Sequence, residues 1–215
     1  SVTLRLRAAP PPSSTLMVTF NDVDTAGATV VALARTGRLS MIELMDRTTV
    51  ECVERVHAGG LDTTAAATLM LQSDDAGDAC EAALEAAAEL CAQAGALTVS
   101  RARSAEEGAH WATMRRVAIP SVEECAGSLL LGDVGVPLPR LGELMAGIEA
   151  ISREADVPIA LIAHAGDGNT HPLVMRDTSS PEAIARATRG EPEPARQGAA
   201  RDLQPAAVSH QEEDA

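Results

Sequence analysis

The chain has 215 residues, 46% hydrophobic and 22% charged, the composition of a soluble globular protein of one or at most two domains with enough length to bury a real core. Its net charge is −14, from 31 acidic against 17 basic residues, and a surface of that sign repels phosphate, which excludes nucleic acid as a partner. There is no lysine and no tyrosine, so Schiff-base or general-base chemistry on a lysine is excluded as well.

In chain order, residues 1–14 contain Pro10, Pro11 and Pro12 between alanines and serines, a stiff extended connector rather than a structural element. Independent domains seldom open on such a lead-in, so the chain reads as cut from something longer. A strand is predicted over 16–20, then a helix capped by Asp24 and ended by Gly37, with Val23, Val30 and Ala34 near one face. A strand over 39–44, a short helix over 50–57 closed by Gly59 and Gly60, and a strand over 67–72 follow. The alanine-rich stretch 78–94 is a strong helix ending at Gly95, and 97–101 is the next strand.

Ser104 and Glu107 form a capping-box pattern that starts a helix through Val117, stopped before Pro120. Trp111 and Arg115, four apart, share one of its faces. Beyond a strand over 129–133, Pro139 introduces a helix with Leu141, Leu144, Met145, Ile148 and Ile151 on one side. Such elements with short joints imply an α+β class with helices packed on one face of a single sheet. Residues 189–215 hold only Leu203 and Val208 among Leu, Ile, Val and Phe, too little to offset the entropy of ordering, so 188–215 is expected to be a disordered tail.

Cys52, Cys80, Cys91 and Cys125 make no Cys-x-x-Cys pair, and Cys80 and Cys91 on one helix stand roughly 16 Å apart, beyond disulfide reach. Reduced thiols fit an intracellular, cytoplasmic protein. No apolar run approaches the roughly 20 residues that span a bilayer and no signal peptide is visible, leaving peripheral membrane contact as the alternative location.

The chemistry concentrates after the apolar run 159–163, in His164-Ala165-Gly166-Asp167-Gly168-Asn169-Thr170-His171-Pro172. Glycines, an aspartate and an asparagine between two histidines make a tight turn, with a returning strand over 173–175. If those strands pair, His164 and His171 project to one side and can converge, which is half of a zinc-type site; partly exposed polar residues beside a turn are the plain alternative. Gly166-x-Gly168 is not a dinucleotide loop, because His171 stands where the third glycine belongs and no helix follows. Arg115 carries a planar fork suited to a carboxylate, whereas Arg116 reads as solvated. His57, His110 and His210 read as surface residues.

The string His-Ala-Gly-Asp-Gly-Asn-x-His-Pro-Leu resembles the signature of the C-terminal domain of FAD-linked oxidases of the glycolate oxidase and D-lactate dehydrogenase type. The resemblance also runs through 15–20, Glu43-Leu44-Met45-Asp46, Trp111 with Arg115 and Arg116, and 133–137, covering about residues 15–187 as one substrate domain. It implies a largely antiparallel, ferredoxin-like fold and a parent reaction oxidising a small 2-hydroxy acid such as glycolate or D-lactate to the 2-oxo acid. By the same resemblance Arg115, His164, Asn169 and His171 bind substrate, and His164 and His171 bind a divalent metal such as zinc. Asn169 also has an ordinary account as a turn former. The family's arginine follows its tryptophan by three positions rather than the four found here. FAD is expected to be bound mainly by a preceding domain or separate polypeptide, with electron-transfer subunits as further partners. The downstream Gly-Glu-His-Gly stretch, which in the family supplies a metal carboxylate and the general base, has no counterpart, so no catalytic residue is assigned and the chain alone is expected to be inactive, as a truncated product would be. The contrasting reading is a non-catalytic α+β module that binds a small carboxylate or a partner.

Overall fold

The computed structural model describes residues 14–176, so the expectations for residues 1–13 of the connector, for the tail and for His210 lie outside the described residues. The connector was expected to reach residue 14, but Ser14 already belongs to the first strand.

The first half runs β1 (Ser14–Phe20), α1 (Val23–Thr36), β2 (Met41–Asp46), α2 (Arg47–His57), β3 (Ala67–Ser73), α3 (Asp78–Gln93) and β4 (Thr98–Arg101). Its strands lie in the order β4-β1-β3-β2, all antiparallel, which is the split β-α-β plan of a ferredoxin-like fold with α2 inserted between β2 and β3. The second half adds α4 (Ala105–Arg116), α5 (Ala118–Ala126), β5 (Leu129–Leu131), β6 (Val134–Gly135), α6 (Leu141–Ala155), β7 (Ile159–His164) and β8 (Asn169–Met175). β7 joins the sheet on β2 through Leu44 opposite Ala163 and Met45 opposite Ile162, and β8 pairs with β7, β5 and β6. The expected α+β class and antiparallel, ferredoxin-like sheet are what the chain adopts.

The helices do not sit on one face, as expected, but on both. Leu16, Val18, Phe20, Leu44, Leu69, Leu161 and Ala163 pack with α1, α3 and α6, while Met45, Ala160, Ile162 and Leu173 pack with Val50 and Val53 of α2, Met114 of α4 and Val122 of α5. The cause is legible in the strands: 159–163 is apolar at every position rather than at alternate ones, so either face exposed to water would cost burial energy. Both helix layers approach closely at glycines. A Cβ on Gly27 of α1 would stand 2.9 Å from the Gly142 backbone of α6, and one on Gly108 of α4 would stand 2.9 Å from Thr15 Oγ1 of β1.

Local boundaries shift for identifiable reasons. α1 is capped by Asp22, whose Oδ1 accepts from the Thr25 amide at 2.7 Å, not by Asp24, which falls in the first turn. α2 begins at Arg47 because Asp46 caps it through the Thr49 amide at 2.9 Å. The helix stop before Pro120 is instead a junction: α4 ends at Arg116 and α5 begins at Ala118, with Pro120 in a first turn whose amides need no intrahelical acceptor. β5 ends at Leu131 rather than at residue 133, and β8 begins at Asn169, well before residue 173.

Candidate functional site

The β7–β8 hairpin turns through a short 3-10 segment, Ala165–Asp167, and closes at Gly168 with φ 72°. A side chain there would need a left-handed backbone and would also place its Cβ 2.4 Å from the Val136 carbonyl oxygen, so only glycine fits. The turn leads into a strand and not a helix, so the reading that this is no dinucleotide loop holds.

Register places the polar residues. His164 stands opposite Asn169 and Ile162 opposite His171, so the two histidines occupy diagonal positions on one face of the hairpin, with Asn169 on that face too. The expected convergence occurs: the imidazole centroids lie 5.4 Å apart, ring edge to ring face. His164 is 48% exposed and His171 18% exposed at the side chain.

On β2, Glu43 immediately precedes Leu44, which pairs with Ala163, and this brings its carboxylate beside His164. Glu43 Oε1 accepts from His164 Nδ1 at 2.7 Å. Arg115, in the last turn of α4, reaches down to the same carboxylate, its Nη2 standing 2.6 Å from Glu43 Oε2. The Glu43 and Arg115 side chains are only 9% and 12% exposed, so this is a largely desolvated ion pair. α4 is held in place by its Ser104 cap, by the close approach of Gly108 to Thr15, and by His110 Nε2 at 2.9 Å from the Gly59 carbonyl oxygen. His110 is exposed, as expected of a surface residue, and through this bond it ties α4 to the loop after α2. Arg116 turns outward to Thr113, as expected of a solvated position.

The cluster has unspent hydrogen-bonding capacity. Arg115 Nε and His171 Nδ1 are buried without a hydrogen-bond partner, the latter 3.7 Å from Asp133 Oδ1 and too far for a direct bond. Glu43 Oε2 meets Arg115 as a charge, but no N–H of the guanidinium is aligned on it. Buried polar atoms without a protein partner in one contiguous cluster call for a partner from outside the chain, an ordered water, an ion or a ligand. A cleft of about 180 Å³ adjoins it, lined by Leu39, Ser40, Ile42, Glu43, His164 and Gly166 among others, a size for a small metabolite rather than a drug-sized molecule.

The metal expectation for His164 and His171 fares differently. Among the described residues no group of three or more histidine, cysteine, aspartate or glutamate side chains is placed to hold an ion. Two imidazoles are an incomplete ligand set, because a zinc site takes at least three protein donors. The residue that sequence reasoning missed is Glu43. Its signal was a carboxylate inside a strand with apolar residues on both sides, Met41-Ile42-Glu43-Leu44-Met45, where a buried charge persists only when it is paired.

A ferredoxin-like sheet whose added hairpin carries a histidine pair, braced by a buried glutamate and faced by a helix arginine, defines an α+β domain with one polar cluster set on the face of its sheet. Residues 9–190 match the sequence model of the FAD linked oxidases, C-terminal domain, and the chain belongs to that family. Glycolate oxidase subunit GlcD of Escherichia coli is 29% identical over 187 residues, covering 86% of this chain and 38% of that protein. The GlcD protein of Bacillus subtilis is 26% identical over 184 residues, covering 85% and 39%. The mitochondrial D-lactate dehydrogenase [cytochrome] of Arabidopsis thaliana is 27% identical over 191 residues, covering 87% and 33%. The chain therefore spans less than two-fifths of the length of these relatives. The fold resembles p-cresol methylhydroxylase with substrate bound (TM-score 0.63, 10% identity, 84% of this chain and 42% of that one) and alkyldihydroxyacetonephosphate synthase (TM-score 0.60, 10% identity, 88% and 41%).

Proposed function

We propose that this chain is the substrate-binding domain of an FAD-linked oxidoreductase that converts a small 2-hydroxy acid, glycolate or D-lactate, to the 2-oxo acid. The observation that carries the reading is the Arg115–Glu43–His164 chain, buried at Glu43 and open to solvent at His164, with His171 beside it. Its counterparts in name are the glycolate oxidase and D-lactate dehydrogenase relatives.

In this reading the substrate carboxylate docks on the free edge of the Arg115 guanidinium, where Nε has no partner. The substrate hydroxyl donates to His164 Nε2, the ring nitrogen that Glu43 leaves free. Asn169 and His171 line the same face and supply further polar contacts. The two-electron acceptor is a flavin held mainly outside the described residues, which form no glycine-rich phosphate cradle leading into a helix. A flavin-binding domain or polypeptide and electron-transfer subunits are the partners in this proposal. The cytoplasm is its proposed location, in keeping with four free thiols.

The test is titration of the purified chain with glycolate and D-lactate, with acetate and L-lactate as controls, reading the melting temperature and the fluorescence of Trp111, the one tryptophan. A ligand present at a hundred times its dissociation constant stabilises the folded state by about 2.7 kcal/mol. A shift with glycolate or D-lactate that acetate does not give, lost in Arg115→Met, supports the reading. A folded chain indifferent to all four acids replaces it with the non-catalytic module.

A further inference from the structure

We infer that Glu43 is the positioning residue of the site: one carboxylate that sets the tautomer of His164 and the orientation of Arg115 together. The inference names a role within the site just proposed and so rests on that reading for its ligand, although its structural half does not.

Glu43 stands on a central strand, between Ile42 and Leu44, whose side chains are locked into the opposite face of the sheet. Its backbone is therefore fixed, and its two oxygens are committed to different elements, Oε1 to the β7 histidine at 2.7 Å and Oε2 to the α4 arginine at 2.6 Å. A carboxylate only accepts hydrogen bonds, so whenever the His164 ring carries a single proton that proton lies on Nδ1 and the lone pair on Nε2. That is the nitrogen able to receive a substrate hydroxyl, and the ring is 48% exposed at the side chain, so it can be reached. On the other side, Glu43 holds only the Nη2 end of Arg115 and leaves Nε unpartnered. The arginine thus keeps its charge compensated in a largely buried setting while retaining an unused edge. Its two duties follow from the span of one glutamate side chain, and aspartate, shorter by a methylene, cannot reach both partners from the same strand.

The experiment uses the full chain and needs no flavin. Nitrogen-15 correlation spectra of the histidine rings, taken at a pH where the spectra themselves show neutral rings, report which nitrogen is protonated. His164 is expected to show a protonated Nδ1 in the wild type and a mixed or reversed tautomer in Glu43→Gln, whose amide can donate as well as accept. D-Lactate and glycolate affinity should fall about 10–100-fold in Glu43→Gln and in Glu43→Asp, with the melting transition still cooperative. Should Glu43→Gln fail to fold, Glu43→Asp and the wild-type spectrum still decide. A wild-type His164 protonated on Nε2, or an unchanged tautomer in both variants, overturns the inference even if both acids bind. A tautomer that responds as expected in a protein that binds neither acid leaves the positioning role standing and removes the proposed substrate instead.

Discussion

The Glu43 carboxylate on β2 lies 2.6 Å from the Arg115 guanidinium on α4, and both side chains are nearly shut off from water. This contact fastens the last turn of a helix to the middle of the sheet, and it does so beside the histidine hairpin, where the family resemblance and the geometry meet. Neither ion could be left alone there, since an unpaired buried charge is far more costly than the pair itself.

Removing either member should therefore be more harmful than removing both. Glu43→Ala and Arg115→Ala are each expected to destabilise the fold by about 3–5 kcal/mol, and Glu43→Leu combined with Arg115→Met by much less than the sum. Urea unfolding of the two single variants and the double variant gives the coupling directly. Strictly additive losses would mean that the two groups do not interact in solution.

Much of this architecture could be read before the structure, because apolar runs and caps are local signals. The strands 16–20 and 67–72, the alanine-rich helix and the Ser104 cap all appear close to where periodicity and capping put them. The histidine convergence was legible for the same reason, since a two-strand turn is short-range geometry. What was missed is non-local. Glu43 and His164 are 121 positions apart, and only the pairing of β2 with β7 brings them together. The two-faced burial of the sheet was written in the uninterrupted apolar strand 159–163, but a one-sided layer reading overrode that cue. Asp22 displaced Asp24 as a cap because the extended backbone at 22, with φ −145°, lets the carboxylate reach the Thr25 amide.

Gly168 offers a test of the hairpin that presents the histidines. Substitution by alanine meets both a left-handed backbone, costing about 1–2 kcal/mol, and the Val136 backbone oxygen 2.4 Å from the added Cβ. Gly168→Ala should lose more stability than Gly166→Ala, whose added Cβ would make an ordinary contact with Ile42 at 3.4 Å. Equal unfolding midpoints for the two variants would show that the turn adjusts freely.

Thiol reactivity should follow burial. Cys52 and Cys91 are pushed up to about 12 and about 11 by desolvation, which leaves almost no thiolate near neutrality, and neither is open to solvent. Cys125 is only half-buried. Alkylation of the native chain at about pH 8, followed by peptide mass analysis, should label Cys125 first and reach Cys52 and Cys91 only as the protein unfolds. Labelling of Cys91 at a rate matching that of Cys125 would show that α3 opens far more readily than its packing implies.

Asp46 makes stability depend on pH in a direction opposite to most carboxylates. Burial pushes its carboxyl up to about 6, with the Leu161 and Thr49 amides and the Thr49 hydroxyl only partly opposing the shift. The folded state therefore holds this proton more tightly than the unfolded chain, whose value is 3.8. The contribution is fully favourable below the unfolded value, declines as pH rises, and is lost once pH passes the folded value of about 6. Moving from 3.8 in the unfolded chain to about 6 in the folded one corresponds to about 3 kcal/mol. Asp22 and Asp62 are held below the usual carboxylate range by their threonine hydrogen bonds and slope the other way, so the whole-protein curve mixes the two. The difference between wild type and Asp46→Asn isolates the effect, because asparagine keeps the acceptor that caps α2 and cannot ionise. Urea unfolding from about pH 4 to about pH 8 should find the variant's advantage growing through the interval and reaching as much as about 3 kcal/mol at the top. A difference that stays constant with pH would place the Asp46 carboxyl in water, and the cap of α2 would then owe nothing to its protonation.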